Sequence, residues 1–190
     1  MRAIDPDVLK AFQLKVWKYK QGELVSLMVH LGTRFGLYGI LAEAGPMSSG
    51  NLATAAELDE RWIREWLLGQ AAAGLLTRDG DVFEMTPEAS EVLVDTESLA
   101  FAGGAFDAPT APDAVETIIT AFQTGRGVTY DAMGDDMAEA IDSQGAPWLR
   151  DYLIDEVILS IAGIADRLEE GAVVADIGCG GGISTEALAR

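Results

Sequence analysis

The residues best placed to do chemistry stand near the end of the chain, where Asp176, Gly178, Gly180 and Gly182 occupy alternate positions. A β-branched run, Val173-Val174, leads into the acid, and Thr185-Glu186-Ala187-Leu188-Ala189-Arg190 after the glycines favours helix. The expected local structure is a strand, a tight turn and a helix start. Glycine at these positions permits positive φ and leaves no Cβ between the backbone and a ligand, so a ligand can touch the main chain directly. The free amides at a helix start would receive a carboxylate or phosphate. An acid at the carboxyl end of a strand lies where open α/β sheets place ligand contacts.

Two ligand classes use such a turn. The dinucleotide fingerprint needs a third glycine three positions after the second, but Gly178-x-Gly180 runs to Ile183 and Gly180-x-Gly182 to Thr185. The pattern acid-x-Gly-x-Gly-x-Gly instead resembles motif I of the class I S-adenosylmethionine-dependent methyltransferases. The resemblance implies that the loop of Gly178, Cys179, Gly180 and Gly182 packs under the aminocarboxypropyl end of S-adenosylmethionine. It also implies that Asp176 braces the loop and meets the cofactor's amino group, directly or through water. A purely structural glycine turn is the competing reading, and it would carry an entropic cost that packing alone rarely requires.

Arg190 stands only 14 positions past Asp176. One parallel strand with one helix cannot bury both faces of a sheet, so the chain is expected to be an N-terminal fragment truncated just after motif I. A complete catalytic domain would need about 150 further residues. The ribose-binding acid, about 20 residues beyond the glycines in such folds, would lie among them.

The 190 residues are 49% hydrophobic, enough for one or two cores, and carry a net charge of −18. Residues 1 to 100 hold 9 basic and 15 acidic side chains, whereas residues 101 to 190 hold 4 and 16, so acidity grows toward the glycine loop. Such a surface repels nucleic-acid backbones and anionic membranes. With no secretory leader, no apolar run of about 18 residues and one cysteine, the expectation is a cytoplasmic protein.

Upstream of the loop the chain reads as helices. Val8, Leu9, Phe12, Val16 and Trp17 recur at helical spacing between lysines, giving an amphipathic helix over 1–20 whose apolar stripe needs a cover. A second helix spans Glu23 to Ala44 and stops at Gly45-Pro46. Ser48 or Ser49 can cap a short helix, and Asp59 a third, in which Trp62, Ile63, Trp66, Leu67 and Ala71 form one apolar face. Asp79-Gly80 between Leu75–Arg78 and Val82–Met85 signals a hairpin, and Thr86-Pro87 opens another helix through Val94. Three helices and a hairpin resemble the N-terminal winged-helix domain of small-molecule methyltransferases over residues 21–98. That resemblance implies homodimerisation through the N-terminal helices and the winged-helix domain, and closure of part of a substrate pocket. The third helix could otherwise read DNA, but Asp59, Glu60 and Glu65 outnumber Arg61 and Arg64.

Residues 99–170 form a helical linker and cleft region, and 171–190 the start of a Rossmann-like domain. Ala100 to Pro112 is linker-like, Val115 to Phe122 suggests a helix, and Val128 to Gly134 a loop. Related methyltransferases fold such a tyrosine-containing stretch against the cofactor cleft, which makes Tyr130 and Met133 pocket candidates alongside an ordinary packing role. A long helix is expected from Pro147 to Gly171, with Ile154, Val157, Ile158, Ile161, Ala165 and Leu168 as its stripe. His30, the single histidine, reads as structural, and Cys179 is small enough for its loop. One His and one Cys far apart make no metal set. The fold class expected is mainly α with a small hairpin, followed by the first strand and helix of an incomplete α/β domain. The function expected is methyl transfer from S-adenosylmethionine to a small molecule, the fragment being inactive alone. No catalytic residue is assigned. A winged-helix dimerisation or regulatory module with a vestigial motif is the alternative, and a DNA-binding regulator ranks last.

Overall fold

The computed structural model describes residues 4–107, 112–129 and 135–189. The chain divides into two compact units, residues 1–89 and 90–190.

The first unit opens on a 29-residue helix, α1 (Pro6–Arg34), capped by Asp5, whose carboxylate accepts from the Asp7 and Val8 amides. The two helices expected over 1–44 therefore divide elsewhere. Gln21-Gly22 does not stop α1, and the break falls at Phe35-Gly36, where Gly36 takes a positive φ of 66° before α2 (Leu37–Ala44). One isolated glycine costs a helix only about 1 kcal/mol, which the continuous run around it absorbs. After α2 comes β1 (Met47–Ser48), a strand the sequence did not reveal because it is two residues long. Ser48 also caps α3 (Ser49–Ala56) through the Asn51 amide, and Asp59 caps α4 (Glu60–Ala72) through Arg61 and Trp62.

The wing is β2 (Thr77–Asp79) and β3 (Val82–Glu84), antiparallel, with β1 pairing the other edge of β3 in the order β1-β3-β2. Asp79 pairs with Val82, so the two-residue loop is Gly80-Asp81, with φ of 57° at Gly80. Thr86 then caps α5 (Pro87–Leu93) through the Ala89 amide.

The core of this unit gathers Val29 from α1, Leu37, Tyr38 and Leu41 from α2, Leu52 from α3, and Ile63, Trp66 and Leu67 from α4, closed by Phe83 of the wing. Trp66 Nε1 donates to the Met28 carbonyl at 2.8 Å, and the Tyr38 hydroxyl donates to Gln70 Oε1 at 2.8 Å inside the core. Tyr38 and Trp66 meet edge to face at 5.2 Å. Trp62 departs from its expected place: at 73% exposed it lies outside the core stripe of α4.

In the second unit a short 3-10 turn (Gly103–Phe106) precedes α6 (Pro112–Thr124) and α7 (Asp135–Pro147). Gly104 approaches α7 so closely that a Cβ there would meet the Ser143 hydroxyl at 2.5 Å and the Gln144 amide nitrogen at 2.7 Å. The single helix expected from Pro147 to Gly171 is broken. Pro147 has no N–H for the ladder, the turns widen into a π-helix (Trp148–Ile158), and Leu159 N–H reaches the Ile154 carbonyl five residues back at 2.9 Å. Gly163, with φ of 77°, then redirects the chain into α8 (Ile164–Glu169).

The strand expected from Val173 into Asp176 does not form: residues 171–176 are irregular and Ile177 begins a turn. Val173 is fully exposed and Ile177 is 96% exposed. A parallel strand exists only through its neighbours, and among the described residues no strand lies beside this one. The helix after the loop does form, as α9 (Ile183–Ala189).

Candidate functional site

The loop between Asp176 and α9 is built as its glycines suggested. Gly178, Gly180 and Gly182 all take positive φ, at 82°, 57° and 87°. Gly182 N–H donates to the Cys179 carbonyl at 2.9 Å, and Glu186 N–H to the Gly182 carbonyl at 2.8 Å, closing the turn onto α9. A Cβ added at Gly178 or Gly182 would meet nothing within 4 Å, so the backbone there is open to an approaching group. Cys179 is exposed, its sulfur 3.7 Å from the Gly180 carbonyl.

Asp176 is tied down by two residues the sequence did not single out. Ser184 Oγ donates to its Oδ2 at 2.6 Å and Thr185 Oγ1 donates to the same oxygen at 2.9 Å. These bonds, Ser184 first, hold the Asp176 carboxyl below the usual carboxylate range. The acid thus clamps both ends of the loop, leaving Oδ1 without a recorded hydrogen bond among the described residues.

A second acid reaches the loop from α7. Asp142 Oδ1 accepts the Gly181 amide proton at 3.0 Å, and a Cβ on Gly180 or Gly181 would run into this carboxylate. This loop amide, two residues before α9 begins, thus already holds an anion. Asp142 lies 34 positions before Asp176, one acid among 31, and no periodicity marks it.

Other expected residues lie elsewhere. Tyr130 and Met133 fall outside the described residues. His30 sits half-buried near the end of α1 in the first unit. A cavity of about 480 Å³ lies beside α9, lined by Arg150, Asp151, Ile154, Asp155, Ile183 and Glu186. Among the described residues no cluster of His, Cys, Asp and Glu suits a metal ion.

Arg64 of α4 and Arg78 of the wing face acids of their own unit. Arg64 lies 3.8 Å from Glu60, and Arg78 lies 3.9 Å from Asp81 while donating to the Gly80 carbonyl at 2.7 Å. No single described helix is long and apolar enough to cross a membrane.

Comparison with known proteins fits this geometry. The sequence profile of the Rv2258c-like winged HTH domain matches residues 23–94. The mitomycin 7-O-methyltransferase MmcR superposes on 97% of this chain with a TM-score of 0.68 at 20% identity, over 56% of its own length. The calicheamicin-biosynthesis methyltransferase CalO1, in its S-adenosylhomocysteine-bound form, covers 98% of the chain and 56% of its own, with a TM-score of 0.60 at 17% identity. Human N-acetylserotonin methyltransferase, solved with S-adenosylmethionine, covers 78% and 44%, with a TM-score of 0.52 at 20% identity. No curated protein matches in sequence. The chain spans about half the length of these solved structures. Residues 23–94 are thus a winged-helix domain of the Rv2258c-like type, and the chain shares over nearly its whole length the fold of about half of MmcR and of CalO1.

Proposed function

We propose that this chain is the N-terminal part of an S-adenosylmethionine-dependent methyltransferase that modifies a small molecule. The observation that carries the reading is the loop itself: three positive-φ glycines with open backbone, clamped by Asp176, in a chain whose fold matches methyltransferases over almost its full length. Asp176, Gly178, Cys179, Gly180 and Gly182 would hold the aminocarboxypropyl end, with Tyr130 and Met133 as further cleft candidates. When bound, the cofactor supplies a methyl group activated by its sulfonium. What this chain contributes is binding and orientation, which is most of what an in-line transfer asks of a protein. Neither a general base nor a ribose-binding acid is assigned among these residues, and the chain alone is expected to lack useful turnover.

The test is calorimetric titration of S-adenosylhomocysteine into this chain and into the product of the same reading frame continued past Arg190. Saturable heat from the longer protein, abolished by Gly178→Val, supports the reading. Gly178 is chosen because a Cβ there would not touch Asp142, while its φ of 82° makes any side chain disturb the loop's backbone. Absence of heat from both proteins overturns the reading in favour of an interaction module.

We further propose a homodimer formed through α1. Residues 4–24 are exposed on every side, including Val8, Leu9, Phe12, Val16 and Trp17. Large apolar side chains gathered on one exposed helix mark an interaction surface, so this arm needs a cover. An apolar cavity of about 440 Å³, lined by Met28, Leu31, Phe35, Trp62, Ile63 and Trp66, lies at the other end of the same helix and is edged by Asp59 and Glu65. A second α1 running antiparallel would bring the lysine-bearing arm of one copy to this acid-edged groove of the other, an isologous arrangement.

A further inference from the structure

Asp142 changes what the glycine loop can recognise. A bare amide at Gly181 would attract an anion, but in this structure it already donates to a carboxylate at 3.0 Å. A second carboxylate arriving at the same N–H would meet a like charge, whereas a cation would meet an attractive one. Asp176 adds a second negative charge at the loop, with one of its oxygens spent on Ser184 and Thr185. Among the described residues no ion pair joins either acid, since the cation on the neighbouring helical segment, Arg150, faces Glu97 at 3.5 Å. The glycines fit this arrangement in two different ways. Gly178 and Gly182 leave open space, while Gly180 and Gly181 leave room that the Asp142 carboxylate already fills.

We infer that Asp142 is a ligand-recognition residue of this site, its carboxylate on the Gly181 amide giving the loop a receiver for a cationic group, the ammonium of an amino-acid end. This deepens the methyltransferase reading and rests on it. The ligand's own carboxylate is then directed away from Gly181, toward the open backbone at Gly178 or Gly182.

The experiment compares wild type with Asp142→Asn, which keeps an acceptor oxygen for the Gly181 amide and removes only the charge. Both proteins, expressed with the reading frame continued past Arg190, are titrated with S-adenosylhomocysteine and with its analogue lacking the amino group. The expected result is about a tenfold or greater loss of S-adenosylhomocysteine affinity in Asp142→Asn, as for a lost charged hydrogen-bond partner, with the deaminated analogue bound equally by both. Unchanged or tighter S-adenosylhomocysteine binding in the variant overturns the inference while leaving the methyltransferase reading intact. Wild type that binds no S-adenosylhomocysteine overturns both. A ligand-independent readout tests the contact: in Asp142→Ala the Gly181 amide proton should move upfield by more than any other loop amide, and an unmoved resonance overturns the inference as well.

Discussion

Two acids that look alike in the sequence have different work in the structure, and their partners decide which. Asp176 is held by hydroxyls: the bonds from Ser184 and Thr185 favour its ionised form and lower its carboxyl relative to an unfolded chain. A carboxyl lowered on folding stabilises the ordered loop fully above the unfolded value, about 3.9 for Asp, and this contribution fades as pH falls through the lower folded value. The loop should therefore keep its order at neutral pH and loosen only in acid below about pH 4. A carbon-detected NMR titration of the Asp176 carboxyl should show its midpoint rising toward the ordinary value in Ser184→Ala/Thr185→Val. An unchanged midpoint would mean that the two hydroxyls do not brace it. Asp142 has an amide as its partner, the N–H of Gly181.

At the scale of elements, the first unit depends on how closely α1, α2 and α4 cross. Gly32 of α1 has no room for a side chain, since a Cβ there would lie 2.5 Å from Tyr38 Cε2 and 2.6 Å from Trp66 Cζ2. Both neighbours are packed rings that cannot swing aside. Gly32→Ala should destabilise the unit by about 2 kcal/mol, read as a fall in thermal midpoint of about 4–8 °C per kcal/mol for a domain of this size. Behind this crossing lies the buried Tyr38–Gln70 pair, where Gln70 Nε2 has no partner among the described residues and burial pushes the Tyr38 phenol well above its ordinary value. Tyr38→Phe leaves the Gln70 carbonyl oxygen without a donor as well, at a cost of about 1–3 kcal/mol. The double variant Tyr38→Phe/Gln70→Met should recover part of that loss in denaturant melts, because removing both polar partners leaves nothing unsatisfied. A double variant less stable than Tyr38→Phe alone would show that the amide contributes more than this one bond.

For the molecule as a whole, the arm of α1 is the feature that a lone copy leaves unexplained. If a second copy covers it, sedimentation velocity should give a dimer for wild type and a monomer for Phe12→Glu/Trp17→Glu, with part of the α1 helicity lost from circular dichroism. A monomeric wild type would transfer the cover to some other partner. The overall acidity, −18 over 190 residues, bears on association with charged partners and on solubility rather than on fold.

Much of this protein was legible before any tertiary contact was known, and the legible parts share a local cause. Asp59, Thr86 and the positive-φ glycines of the loop act within a few residues of themselves, as caps and turns, so their types and spacing suffice to place them. The wing hairpin followed from Asp79-Gly80 with its turn displaced by one residue, because strand pairing rather than the dipeptide sets which residues close the loop. What tertiary structure alone decided is what depends on neighbours distant in sequence. Val173–Ile177 has the residues of a strand but no partner strand among the described residues, so it stays irregular. The run after Pro147 has a helical stripe, yet a missing amide and Gly163 break it into a π-helix and α8. Asp142 reaches Gly181 across 39 positions of sequence, a contact made by the packing of α7 and invisible to any local pattern. Residue types close in sequence determined the glycine turn, and packing between segments far apart in sequence decided that a carboxylate lies against it.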